Sequence, residues 1–150
     1  MAQSLNKIIV HIVFSTKHRQ NFIDDAIKDE LFNYLGGTCK HLECNPIRVG
    51  GYKNHVHILC FLSKKITLIK LLEDVKKNSS KWMKTKGEAY KNFYWQDGYG
   101  AFSINPKQID LVINYIDTQE EHHSTHTYED EMRVFFKQYG IEYDEQYVWD

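Results

Sequence analysis

The sequence is poor in several things, and each shortage closes off a class of protein. Cysteine is scarce: Cys39, Cys44 and Cys60 are the three present, with no C-x-x-C pair among them. An odd count without paired spacing argues against a disulfide framework and a cysteine-based zinc site, and favours buried thiols in a reducing cytoplasm. Long apolar runs are missing, and the N-terminal stretch lacks the uninterrupted apolar segment of a signal peptide. The expectation is a cytoplasmic chain with no membrane partner. Net charge is also small, −1, which taken alone speaks against nucleic acid as a partner.

That near-neutrality hides an asymmetry. Residues 1–116 hold 17 Lys+Arg against 10 Asp+Glu, whereas residues 117–150 hold 2 against 10. A basic body and an acidic tail leave phosphate-backbone binding open, with plain solvation as the alternative. At 42% hydrophobic and 14% aromatic over 150 residues, the chain is globular and long enough for one domain (1–150) with a real core.

The hydrophobic pattern alternates strands and helices. Lys7 to Phe14 predicts a first strand, with Ile8, Val10, Ile12 and Phe14 on one face and Ile9, His11 and Val13 on the other. A basic loop, Ser15 to Arg19, precedes a helix from Asp24-Asp25 to about Lys40. Asn45 to Val49 predicts a second strand, turning at Gly50-Gly51 into an antiparallel strand from His55 to Leu62; Tyr52-Lys53-Asn54 would lengthen that loop. Thr67 to about Lys86 is an amphipathic helix. Leu68, Leu72, Val75, Ser79 and Trp82 face the sheet, and Lys70, Lys77, Lys81 and Lys84 share another stripe that is either a solvated face or a phosphate-contacting one. Asn92 to Ile104 is an aromatic, glycine-rich loop entering a short strand; its aromatics suit either packing or stacking on unpaired bases. A helix follows from Pro106, capped by Asn105, to about His122. The acidic segment from about residue 127 holds a last helix, Tyr128 to Tyr139, with Met132, Phe135 and Phe136 as its apolar side and Gly140 as its stop. Ile141 to Asp150 is an extended or loosely docked end, read as soluble packing or as a DNA-repelling tail.

Two groups of residues carry chemistry. His55 and His57 stand two apart on a strand, so they share a face and could share a metal ion, although hydrogen-bonded structural histidines fit the same pattern. Tyr115 and Gln119 stand four apart on the Pro106 helix, at the edge of its Ile109/Val112/Ile113/Ile116 stripe, where a helix presents groups to a cleft. A tyrosine hydroxyl can attack phosphorus when a metal polarises the phosphate. Two imidazoles and an amide oxygen leave a divalent ion strongly Lewis acidic, with Mn²⁺ a better match than Mg²⁺ for the imidazoles. His122, His123 and His126 are further candidates for a third ligand, and otherwise solvated residues at a helix end.

The stretch from Gly51 to Leu59, with its Asn54-His55-Val56-His57 core, resembles the histidine–apolar–histidine (HUH) motif of single-tyrosine transposases of the insertion sequence 200/605 type, including those associated with repetitive extragenic palindromes. Also similar, in order, are His11-Ile12-Val13-Phe14-Ser15-Thr16-Lys17, Lys76-Lys77-Asn78-Ser79-Ser80, Trp95-Gln96-Asp97-Gly98-Tyr99 and the Tyr115 to His123 segment. The resemblance spans about residues 5 to 139. It implies an α+β, ferredoxin-like antiparallel sheet with helices packed on it, and a dimer in which one subunit's tyrosine helix can complete the other's site. It implies Tyr115 as nucleophile, His55, His57 and Gln119 as ligands of Mg²⁺ or Mn²⁺, and single-stranded DNA with hairpin ends as substrate, joined transiently through a 5′-phosphotyrosine. Lys17, Arg19, Lys70, Lys77, Lys81, Lys84, Trp95 and Tyr99 are the expected DNA contacts. The hairpin and the dimer come from the resemblance alone. Two other readings stand beside it: a domesticated palindrome-binding protein without transposition, and a metal-dependent phosphoesterase using water. The second would want an additional H-x-[ST] element, which His126-Thr127 does not supply and His123-Ser124-Thr125 fits only at a helix end.

Overall fold

A computed structural model describes residues 2–150. The elements run β1 (Ile9–Ser15), α1 (Lys28–His41), β2 (Pro46–Tyr52), β3 (His55–Phe61), α2 (Leu68–Lys84), β4 (Gly100–Ile104), α3 (Ile109–Asp117), α4 (Gln119–His123) and α5 (Tyr128–Tyr139). The sheet order is β2-β3-β1-β4, with every pairing antiparallel. The first six elements therefore have the ferredoxin-like βαββαβ arrangement, and α3 to α5 are added after it.

Strand alternation divides the molecule into two chemically different layers. Val10, Ile12 and Phe14 of β1 and Val56, Ile58 and Cys60 of β3 face α1 and α2, where Leu31, Leu35, Cys39, Leu71, Leu72, Val75 and Met83 complete an apolar core. The intervening residues, His11 and Val13 of β1 and His55, His57 and Leu59 of β3, face the other way. Ile116 of α3 covers Ile9 and Leu59 there, while Tyr128, Met132 and Phe136 of α5 cover Val13 and Phe102. Both faces of β3 are consequently buried, which explains its near-continuous apolar sequence.

Several boundaries differ from the sequence expectation. Gly50-Gly51 is not the hairpin turn: β2 continues through it to Tyr52, which pairs with His55, and Lys53-Asn54 make the turn. The reason lies across the sheet. A Cβ on Gly50 would stand 2.7 Å from Ile116 Cγ2, so the bare backbone is what lets α3 lie directly on β2. α1 starts at Lys28, after a turn in which the Asp24 carboxylate accepts the Ile27 N–H (3.1 Å) and the Tyr90 hydroxyl (2.7 Å), and it runs unbroken through Gly36-Gly37. The Pro106 helix is three pieces: a 3-10 turn at Pro106–Gln108 closed by an Asn105/Gln108 capping box, then α3, then α4 beyond a break at Thr118 (φ −106°, ψ 26°). α5 matches its expected bounds and ends at Gly140 in the left-handed conformation (φ 62°).

The aromatic loop and the chain end also take definite places. Trp95 is only 6% exposed, its ring set edge-on against Phe14 and Phe93, and its indole N–H donates to Ser79 Oγ (2.8 Å). It is a core residue with no face free for a base. The end of the chain is tied down: Gly98 N–H donates to the Asp150 carbonyl (2.9 Å), the Arg19 guanidinium donates to the Trp149 carbonyl, and Val148 and Trp149 pack beside Tyr128 and Phe136. No described helix is long and apolar enough to cross a membrane.

Two substitutions test these packing arguments by urea unfolding. Gly50→Ala should lower stability by about 1–3 kcal/mol through overpacking against Ile116. Ser79→Ala should cost about 1–3 kcal/mol by leaving the buried Trp95 N–H without an acceptor.

Candidate active site

β3 projects His55 and His57 to the side of the sheet covered by α3, α4 and α5, and the helices bring the rest of the site to them. Gln119, 1% exposed, opens α4 immediately after the Thr118 break. Its amide N–H donates to the Tyr115 carbonyl (3.1 Å), which turns Oε1 toward the histidines, 3.1 Å from His55 Nε2 and 3.0 Å from His57 Nε2. Tyr115 and Gln119 thus meet the H-x-H pair within one chain, across a helix break instead of along one continuous helix.

Sequence reasoning missed the residue at the centre. Glu131 of α5 is buried, with Oε1 3.0 Å from His57 Nε2 and 3.6 Å from His55 Nε2. Its Oε2 accepts the Tyr115 hydroxyl at 2.5 Å and lies 2.9 Å from His123 Nε2 and 3.3 Å from His122 Nε2. The available signal was an acid between Tyr128 and Met132 on an otherwise apolar helix face, a position that would bury a charge without a partner. His122 and His123 are likewise not simply solvated: both turn inward to this carboxylate, and only His126 of the three stays exposed.

Burial sets the protonation states. It holds His55 down at about 3, with His57 adding to the effect, so His55 is neutral near pH 7; His11 is held at about 3 in the same way. Burial pushes the Glu131 carboxyl up, but the neighbouring imidazoles, His57 first and then His123 and His55, outweigh it and keep the group well below the usual carboxylate range. Burial, followed by the Glu131 charge, pushes the Tyr115 phenol well above its usual range. At neutral pH the pair is therefore a phenol and a carboxylate sharing one proton on the phenol side.

The donor set meets a test for a cation. Asn54 Nδ2 reaches the Arg19 carbonyl (3.4 Å), which leaves Asn54 Oδ1 to accept the His55 Nδ1–H at 2.8 Å. Neutral His55 then points an Nε2 lone pair at Gln119 Oε1, two acceptors 3.1 Å apart, and Glu131 Oε1 is buried with no hydrogen-bond partner. Convergent lone pairs of this kind suit a metal ion. His55, His57 and Glu131 offer ligand atoms within 4.8 Å of one another and can hold one. His11 Nε2 lies 2.8 Å from His57 Nδ1; when the latter donates, His57 Nε2 is free to ligate, the usual role of an outer partner.

The expected DNA contacts scatter. Lys70 pairs with Asp74 (3.1 Å) on α2, on the far side of the sheet from the histidines. Lys77 and Lys81 are exposed on the same helix. Lys84 lies 4.0 Å over the Tyr94 ring, and Lys17, exposed, donates its backbone N–H to the Tyr94 carbonyl (2.8 Å). Tyr94 is 55% exposed and is the open aromatic where Trp95 is not; Tyr99 is also exposed. Lys76, held at about 8 by burial, donates to the carbonyls of Asp97 and Gly98.

Comparisons with known proteins identify the family and the fold. The family described as "Transposase IS200 like" matches residues 4–119. A candidate transposase from Deinococcus radiodurans R1 shares the fold at a TM-score of 0.62 and 17% identity, over 79% of this chain and 98% of its own. A REP-associated tyrosine transposase bound to a REP hairpin shares it at a TM-score of 0.58 and 14% identity, over 82% of this chain and 74% of its own. At these identities the likeness is one of fold. No curated protein matches the chain. The family match covers most of the chain, from before β1 through Tyr115 to Gln119, and the chain belongs to the IS200-like transposase family.

Proposed function

We propose that this transposase cleaves and rejoins single-stranded DNA through a covalent bond to Tyr115. The observation that carries the reading is the Tyr115 hydroxyl and the His55/His57/Gln119 cluster meeting at one buried carboxylate within a single chain. His55, His57 and Gln119, with Glu131 as a fourth donor, would hold Mg²⁺ or Mn²⁺. When bound, the ion supplies Lewis acidity toward a phosphate oxygen. The Tyr115 oxygen attacks phosphorus, an O–P bond forms and the P–O3′ bond breaks, leaving a 5′-phosphotyrosine and a free 3′-hydroxyl. Glu131 Oε2, which already accepts the Tyr115 O–H, is placed to take its proton, and the departing O3′ takes up one proton to become the hydroxyl. The reverse attack by a 3′-hydroxyl restores the phosphodiester without ATP.

The substrate proposed is a hairpin-ended single strand, the kind of DNA named for the hairpin-bound structural neighbour. Lys17, Arg19, Lys77, Lys81, Lys84, Tyr94 and Tyr99 are its candidate contacts, with Tyr94 replacing Trp95 as the stacking aromatic. A homodimer is retained as a proposal, although one chain here supplies the whole donor set. A single domain over 1–150, acting in the cytoplasm, is proposed on the same footing.

Incubation with a labelled single-stranded hairpin end and Mg²⁺ or Mn²⁺ should give a denaturation-resistant protein–DNA band. Tyr115→Phe should abolish that band and leave hairpin binding intact; persistence of the band would overturn the assignment. Binding without metal-dependent cleavage would instead favour a palindrome-binding protein, and unlinked hydrolysed product a phosphoesterase. His11→Phe should weaken Mn²⁺ binding roughly 10- to 100-fold by releasing the His57 ring, measured by calorimetry, while His11→Gln, which retains an acceptor, should recover part of the loss.

A further inference from the structure

Four imidazole nitrogens surround the one carboxylate of Glu131: Nε2 of His57 at 3.0 Å, His55 at 3.6 Å, His123 at 2.9 Å and His122 at 3.3 Å. Ordinary hydrogen bonding does not account for all four, because Glu131 Oε1 and His122 Nε2 are buried without a hydrogen-bond partner. The first two have one in the cluster with Gln119. His122 and His123 lie on the other side of the carboxylate, beside Tyr115, outside the HUH strand and unused by the reaction as described.

Their geometry is that of prepared ligands. The His123 side chain is 3% exposed, and its Nδ1–H donates to the His126 carbonyl (2.8 Å), which leaves the Nε2 lone pair directed at Glu131 Oε2. A backbone carbonyl on the outer nitrogen is one of the usual ways to fix the ring of a metal-binding histidine. His122 Nε2 is buried, has no hydrogen-bond partner and faces the same oxygen, and its ring stacks on His126 with centroids 5.0 Å apart and 7° between planes. The ligand atoms of His122, His123 and Glu131 lie within 4.8 Å of one another.

We propose that His122, His123 and Glu131 form a second divalent-cation site, sharing the Glu131 carboxylate with the HUH site and lying next to the Tyr115 hydroxyl. The proposal deepens the metal-dependent reading above and uses the opposite oxygen of the same residue. Oε1 serves the HUH site. Of the two lone pairs on Oε2, one accepts the Tyr115 O–H and the other remains for the second ion. Two imidazoles and one carboxylate oxygen, with coordination positions left open, form a set that suits Zn²⁺ or Mn²⁺ better than Mg²⁺ or Ca²⁺. The half-exposed edge of His122 gives water access to those positions.

Zn²⁺ alone, titrated by calorimetry into the full metal-stripped chain, tests the proposal, with bound metal counted after gel filtration. Two equivalents per chain are expected. His122→Ala/His123→Ala should lose one and keep the other, and His55→Ala/His57→Ala should do the same at the other site. Should either alanine pair fail to fold, judged by its circular-dichroism melt, His122→Asn/His123→Gln and His55→Asn/His57→Gln replace them. One equivalent unaffected by changes at His122 and His123 overturns the second site and leaves the HUH reading standing. One equivalent lost with His122 and His123 but unaffected by His55 and His57 supports the second site and sinks the HUH reading. No bound Zn²⁺ overturns both. With Mn²⁺, spin–spin coupling in the electron paramagnetic resonance spectrum of the wild type, absent from each variant pair, is the expected sign of a shared carboxylate.

Discussion

One ionised carboxylate, sealed under α5, organises the functional side of this molecule. Among the described residues no Lys or Arg pairs with Glu131; histidines from β3 and α4 and a phenol from α3 surround it instead. Burying a charge is tolerable only when its neighbours answer it from several directions. That requirement brings side chains from elements far apart in sequence to one point, once apolar packing has docked α5 on the ferredoxin-like sheet. It also means that removing Glu131 alone would leave several polar groups facing a void, so its role cannot be judged from a truncation without a metal-binding or fold measurement beside it.

The two faces of the sheet are used for different purposes. Toward α1 and α2 the inward positions are apolar or thiol apart from the Ser79 hydroxyl that accepts the Trp95 N–H, and the layer gains its stability from area removed from water. Toward α3, α4 and α5 the same strands place His11, His55 and His57, so this layer trades apolar burial for a polar network fixed by specific hydrogen bonds. The split follows from strand alternation alone. A one-residue slip of β3 against β1 would send the histidines into the α1/α2 core.

Alternation and helix spacing are local rules, and the parts of the site they govern were legible: the shared face of His55 and His57, and the common side of Tyr115 and Gln119. Glu131 was not, because its meaning depends on where α5 docks, and docking is set by tertiary packing of Tyr128, Met132 and Phe136 on Val13 and Phe102. Gly50-Gly51 misled for a related reason. Glycine pairs commonly mark turns, but here the demand for a missing side chain came from Ile116, sixty-odd residues away in sequence. Trp95 was misplaced because an aromatic loop has the same composition whether its rings point in or out, and the Ser79 acceptor that draws this indole inward sits on another element. The ferredoxin-like order, in contrast, is carried by the family resemblance and by the plain βαββαβ succession.

The amide of Gln119 has a consequence for motion. One end of this side chain is hooked to the backbone of Tyr115 and the other faces both histidines of β3. A rigid three-atom amide joining nucleophile and ligand cluster acts as a tie-rod: α3 cannot rotate Tyr115 outward without either pulling Oε1 off the histidines or breaking the hook at the Tyr115 carbonyl. Reach of the nucleophile and integrity of the cluster are therefore geared together, and the flexible joint in that gearing is the single non-helical residue between them, Thr118.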